Sequence, residues 1–188
     1  MALVERVKNI LLTPKTEWPR IAGEEASVQS LYVGYILILA AIGPLAMLIG
    51  SPMLMATVAI LSYLISLAVT YLLALIVDAL APTFGAEKNF IQSLKLTAYS
   101  YTAAWIAGIF QLIGMVGGII GLLATIYSFY TFYLGVPTLK KCPQEKAVAY
   151  TVVVVICGFV LGLVLTGVLM STILGGSMMG AMGLGAMR

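Results

Sequence analysis

DALAPTFGAEKNF, residues 78–90, is a short polar interruption in a chain that is otherwise almost continuously apolar. Asp78 is the first charge after a neutral run that begins at Ala26. It has two possible meanings. A carboxylate held inside a membrane serves a purpose, such as carrying a proton or an ion. A carboxylate at a helix end marks where the chain returns to water. Which applies depends on how many times the chain crosses a bilayer and where Asp78 falls in a crossing.

The 188 residues are 62% hydrophobic and only 9% charged, and the mean hydropathy is +1.10. A soluble domain is about 25% charged, so this chain cannot cover a water-facing surface and reads as an integral membrane protein. Its length suits one membrane domain of about five helical spans. No stripe of basic residues is interleaved with exposed aromatics, so nucleic acid is not an expected partner. The first twenty residues carry charges throughout and lack an apolar core ahead of a small-residue cleavage site, so no cleavable signal peptide is expected.

Three neutral stretches flank the polar ones. Ala26–Val77 breaks at Gly50–Pro52, Leu96–Leu139 breaks at Gly114–Gly118, and Ala147–Met187 is most apolar up to Leu174. Glycine and proline end helices, and the runs show no period-two alternation, which leaves helices rather than a barrel. The expected fold is all-α. It comprises a cytoplasmic N-terminal segment (1–30) with an interfacial amphipathic helix, a bundle of five transmembrane helices (31–174), and a Gly/Met-rich tail (175–188) on the outer side. The spans are about 31–49, 53–77, 96–113, 119–136 and 148–174.

With five spans, nine of the ten basic residues and all seven acids fall on one side. Lysine and arginine favour the cytoplasmic side, so the chain is expected in the cytoplasmic (inner) membrane, N-terminus inside and C-terminus outside. Asp78 then sits at the cytoplasmic end of helix two, as a helix-end marker in contact with water.

In LVERVKNILL (3–12), Leu3, Val7, Ile10 and Leu11 share one helical face, which predicts a helix lying on the inner leaflet. Trp18 is placed to anchor at headgroup depth. Eight of the ten tyrosines map to cytoplasmic halves of their helices. An aromatic belt accounts for them; the sharper alternative is a polar and aromatic cluster of Asp78, Gln92, Lys95, Tyr99, Tyr101, Tyr130 and Tyr133 at an inner vestibule. The pairs Gly114 and Gly118, Gly117 and Gly121, and Gly158 and Gly162 are spaced four apart, which allows close helix packing within a chain or between chains. Gly43-Pro44 predicts a kink in helix one.

No chemistry-bearing set stands out. There is no histidine, no phosphate-binding glycine loop and no metal-ligand spacing. Glu24 and Glu25 are adjacent, so they do not imply a facing acid pair. Cys142 and Cys157, fifteen residues apart on one helix, would be about 22 Å apart and are not expected to pair. Tail methionines could bind Cu(I), but a flexible or loosely packed end is the commoner meaning of such a composition. No enzyme activity, cofactor or metal is expected.

The stretch FGAEKNFIQSLKLTAYSYTAAWIAGIFQLIGMVGGIIGLLATIYSFYTFYLGVPTLKKCPQEKAVAY (84–150) resembles the Yip1 domain of small bacterial membrane proteins. The resemblance is carried by FG before an amphipathic stretch, AYS, W-x-A-G-I, a glycine turn, a tyrosine-rich helix, LG-x-P and K-x-P-Q-E-K-A-x-x-Y. ILLTPKTEWPRIAGEE is similar to the opening of such proteins. The resemblance implies a five-helix bundle with a cytoplasmic N-terminus; eukaryotic relatives are linked to vesicle traffic and prenylated small GTPases. Relatives often carry a proline after the AYS segment, where this chain has Ala103-Ala104. The functional expectation is a non-enzymatic bundle presenting its cytoplasmic face to a protein partner or to lipid, with a second copy of the chain as another expected partner. The alternative is a small transporter or channel with a vestibule around Asp78.

Overall fold

The computed structural model describes residues 2–50 and 52–185, and all described regular structure is helical. Helices α1 (Leu3–Leu12) and α2 (Pro14–Gly23) meet at Thr13, with Pro14 at the first position of α2, where its missing N–H costs nothing. A capping box between Ser27 and Ser30 then opens the first long segment. This runs as α3 (Val28–Leu31), a π-helical turn (Tyr32–Ile36), α4 (Leu37–Ala40) and α5 (Ile42–Gly50). The break at Ala41 is the kink expected from Pro44, which cannot donate to the carbonyl four residues back.

Helix α6 (Pro52–Leu80) continues into a 3-10 turn (Ala81–Phe84) that ends at Gly85, whose φ of 70° is left-handed. It extends beyond the expected 53–77, so Asp78 lies inside the helix. Residues 90–113 are not one straight helix over 96–113. They form α7 (Phe90–Ser100), α8 (Thr102–Ala107) and a 3-10 stretch (Gly108–Ile113). No proline causes the interruption at Tyr101. Thr102 Oγ1 donates back to Tyr99 O at 2.6 Å and meets the Tyr35 hydroxyl at 2.7 Å, and back-bonding of this kind bends a helix.

Helix α9 (Met115–Leu139) starts directly after Gly114, at φ 60° and ψ −127°. The turn therefore needs only one glycine, and Gly117 and Gly118 are helical, against the expected break over 114–118. Helix α10 (Gln144–Gly185) is continuous through most of the expected flexible tail. Residues 186–188, and the tail methionine side chains that could hold copper, lie outside what is described.

Among the described residues, four helical segments are long and apolar enough to cross a membrane: Val28–Ile49, Ala56–Phe84, Met115–Leu139 and Gln144–Val168. The broken segment 90–113 lies antiparallel to α9, with Leu96 against Gly135 and Phe110 against Gly117. Its far end meets the first segment where Gly108 touches Gly43. The buried core gathers toward the charged end, around Ile36, Leu73, Val77, Leu94, Val136 and Tyr150. Ile10, Trp18 and Ile21 of the N-terminal pair belong to the same core. The apolar face of α1 is thus committed to protein: Ile10 is 1% exposed, and Leu3, Val7 and Leu11 pack against the core. Trp18 is likewise interior, not an anchor at headgroup depth.

Candidate functional site

The charged end of the bundle holds two buried ionic clusters. The first is built on Lys140, at the exit of α9 and fully enclosed. Its ammonium donates to Asp78 Oδ1 at 2.9 Å, Ser93 Oγ at 2.7 Å and Asn89 O at 3.1 Å. All three of its protons are therefore used. Ser93 Oγ accepts that bond and lies within donating distance of Asn89 O (3.0 Å) and Asp78 Oδ1 (3.2 Å). Burial pushes the Lys140 ammonium below its usual range, and the Asp78 carboxylate opposes that shift. Glu87 N donates to Lys140 O at 2.7 Å, joining the loop after α6 to the exit of α9. Asp78 is 9% exposed. The lone acid is therefore neither a solvated helix end nor an unpaired intramembrane charge, but half of a buried ion pair.

The second cluster ties the N-terminal pair to the bundle. Arg6 Nη1 donates to Glu17 Oε1 at 2.5 Å, its other terminal nitrogen donates to Glu24, and the guanidinium lies 5.6 Å from the Tyr99 ring centroid. Arg6 and Glu17 are both buried, whereas the Glu24 side chain is half exposed. Burial lowers the affinity of the guanidinium for its proton, but the Glu24 hydrogen bond and the surrounding negative charge outweigh it, so the group stays firmly charged. Lys95, enclosed on α7, donates to Ile21 O at 2.9 Å and to Glu24 O. These are carbonyls at and just beyond the C-terminal end of α2, where a cation is favoured. Gln92 Nε2 donates to Ala22 O at 3.0 Å, and Trp18 Nε1 donates to Thr131 O at 3.1 Å. Trp18 fits because residue 135 is glycine: a Cβ there would lie 2.7 Å from the indole.

The expected vestibule residues do not converge on one space. Asp78 belongs to the first cluster, while Gln92, Lys95 and Tyr99 belong to the second. Tyr101 stacks on Trp105 with centroids 5.9 Å apart. Tyr130 is exposed beside Tyr127, and the Tyr133 hydroxyl accepts from Gln144 Nε2 at 3.4 Å. Several other tyrosines work as staples between segments. Their hydroxyls donate to carbonyls of neighbours: Tyr32 to Leu67, Tyr63 to Leu37, Tyr127 to Leu11 and Tyr150 to Val77. A helical carbonyl can accept this second bond because it has a spare lone pair.

The glycines divide similarly. Gly117 could not be any other residue, since a Cβ would lie 1.7 Å from Phe110 O. Gly158 rests on Leu73 at ordinary contact distance, and Gly114 supplies the turn. Gly118, Gly121 and Gly162 meet nothing within 4 Å among the described residues. Sequence reasoning missed Arg6, Glu17, Ser93 and Lys140 as interior groups. The usable signal was Asp78 itself, since an acid inside a long apolar helix needs a cation. Among the described residues, no three His, Cys, Asp or Glu side chains gather as a metal site, and Cys142 and Cys157 are free.

No curated protein and no solved structure matches this chain. A family model does: the Yip1 domain, over residues 8–166. That range holds both ends of the Asp78–Lys140 pair, the Trp18 socket, three of the long apolar segments and all but the last two residues of the fourth. The chain belongs to the Yip1 domain family, as a membrane protein built as a helical bundle.

Proposed function

We propose that the chain is a non-enzymatic, five-crossing protein of the cytoplasmic membrane whose charged end receives a protein or lipid partner on the cytoplasmic side. The observation that carries this reading is the α1–α2 pair folded against the bundle. The pair spends Arg6, Glu17 and Trp18 internally, yet leaves Lys8, Lys15 and Arg20 exposed. Lys88, Lys141 and Lys146 are exposed in the loops at the same end. Glu5, Glu25, Glu87 and Glu145 are exposed there too, so the rim carries charges of both signs, and a fixed platform of this kind suits recognition because the partner need not order it on binding.

The fifth crossing in this reading is residues 90–113. Its support is the antiparallel course beside α9, from Leu96 at Gly135 to Phe110 at Gly117. The cytoplasmic placement of the charged end rests on the lysine and arginine bias. A transport role at Asp78 would need an open carboxylate, whereas Asp78 is enclosed under Lys140 and Ser93.

A photo-crosslinking residue placed at Lys8, Lys15 or Arg20 in intact membranes tests the platform. The expected result is one discrete protein or lipid adduct, reduced by a Trp18→Ala change that loosens the pair. Adducts to water alone, at all three positions, would remove the proposal. Sidedness needs introduced thiols, because Cys142 is buried and burial pushes its thiol pKa up. On a Cys142→Ser background, Lys88→Cys and Lys146→Cys should react with an impermeant reagent only from the cytoplasmic side, and a tag after Arg188 should be reached only from outside.

A further inference from the structure

The N-terminal pair reaches far below the exit of α9. The Tyr127 hydroxyl donates to Leu11 O at 2.7 Å, and Tyr127 is the central residue of α9 (Met115–Leu139). It lies about 18 Å along the helix from Leu139. Helix α1 also packs on α8, which falls between the Leu96–Gly135 and Phe110–Gly117 contacts and so at mid-height as well. Lys15 stands in the chain between Leu11, held at Tyr127, and Trp18, held at Thr131 and Gly135. Lys8, Thr13, Lys15 and Thr16 are exposed. A polar surface thus sits beside the middle of a candidate membrane span.

Along α10 the boundary is elsewhere. Val148, Val152, Ile156, Val160, Val164 and Val168 are all exposed. From Val148 to Val168 the helix rises about 30 Å, the full thickness of a hydrocarbon core. Val148 is level with the Asp78–Lys140 pair, because nearby Tyr150 donates to Val77 O. Apolar surface therefore climbs to the height of Lys140 on α10. Below the N-terminal pair, α9 offers only Met115 to Ile126, about 17 Å, where Ile119, Leu122, Leu123 and Ile126 are exposed. The apolar belt is much shorter on that side.

We propose that the α1–α2 pair is sunk in the leaflet at the charged end, and that phospholipid headgroups drawn down to Lys8 and Lys15 cover its outer surface. A bilayer accommodates ionised side chains below its usual surface by local thinning and by letting them snorkel to the phosphates. The choice of lipid over water or protein comes from α1. Val4, Lys8 and Leu12 are spaced four apart and share one side of the helix, and all three are exposed. Large apolar side chains flanking a lysine suit acyl chains with a phosphate among them. Glu5 is exposed on the same helix, and the ammonium of an ethanolamine headgroup complements it. The inference names lipid as the partner of the platform proposed above and rests on that reading.

The test uses the full chain, with Cys142→Ser and Cys157→Ser, in nanodiscs of phosphatidylethanolamine and phosphatidylglycerol. Nitroxide labels are placed singly through Leu12→Cys, Lys15→Cys, Lys146→Cys in an exposed loop, and Ile60→Cys on an exposed face of α6. Depth is read from the ratio of collisions with oxygen to collisions with a water-soluble nickel chelate. The ratio at residue 12 should exceed that at residue 146 at least three-fold and approach that at residue 60, with residue 15 between. Nickel access at 12 and 15 equal to that at 146 would place the pair in water and overturn the proposal, while leaving a protein-binding platform to be judged by the crosslinking above. Slow collision with both reagents would mean that protein covers the face, which would also overturn it. The double variant Lys8→Leu with Lys15→Leu lengthens the short side of the belt. Its highest Tm should come in longer-chain phosphatidylcholine than that of the wild type, and an unchanged optimum would contradict the thinning.

Discussion

The two ends of this bundle are held together by different physics. At the charged end, contacts between segments are directional: Lys140 to Asp78, Arg6 to Glu17, Lys95 to the end of α2, and tyrosine hydroxyls to carbonyls. At the opposite end the contacts are steric. Gly43 and Gly108 bring two backbones together, since a Cβ on Gly108 would lie 2.8 Å from Gly43 Cα, and Gly117 accommodates Phe110 O. The contrast follows the available chemistry. Helices in hydrocarbon gain nothing from burying apolar surface against each other, so they associate through close approach or polar contacts. The end with charges relies on polar contacts alongside the Gly135 socket, and the end without them relies on glycine.

The first way to break the comparison is to remove a partner of each kind. Gly117→Leu should have the largest effect, because the obstructing atom is a backbone carbonyl that cannot rotate away. A loss above about 4 kcal/mol is expected, read as failure to recover monodisperse protein in detergent. A variant that purifies with wild-type Tm would contradict the steric account of that end.

Lys140→Met should follow, at about 3–5 kcal/mol, because it leaves Asp78 enclosed without its cation. The double variant Lys140→Met with Asp78→Leu should recover most of that loss, since it removes both charges. Losses that simply add would show that the pair is not coupled. The Tm of the two single variants and the double variant in one detergent supplies the cycle.

Trp18→Ala should cost about 3 kcal/mol by emptying the socket beside Gly135, and the effect should be local. Amide exchange should rise in residues 3–23 and remain unchanged in α9. A uniform rise across the bundle would mean that the N-terminal pair is part of the global fold and not a separately docked platform.

These effects mark where sequence reading succeeds and where it stops. Long apolar runs, the Pro44 kink and the turn at Gly114 are local properties, and the chain states them directly. Pairings are not local. Asp78 and Lys140 are 62 residues apart and Trp18 and Thr131 are 113 apart, so a single sequence offers no register to join them. The amphipathic face of α1 was legible as a face, but period alone does not say whether lipid or protein covers it. The break at Tyr101 depends on Thr102 meeting both Tyr99 and Tyr35, which substitutes for a proline the sequence lacks.

Glycine spacing shows the same boundary and gives the smallest expected effect. Gly118 and Gly121 share their four-residue spacing with Gly114 and Gly117, yet meet nothing within 4 Å among the described residues. In an isolated chain, Gly118→Ala and Gly121→Ala should each be neutral or stabilising by up to about 1 kcal/mol, because alanine loses less backbone entropy in a helix. The sign of the Tm shift carries the information. A gain at both positions means these glycines face lipid, and the steric mode is confined to contacts within the chain. A loss, especially one that deepens with protein concentration in the bilayer, means a second copy packs there. The steric mode would then extend between molecules on the one stretch of α9 that the charged end cannot reach.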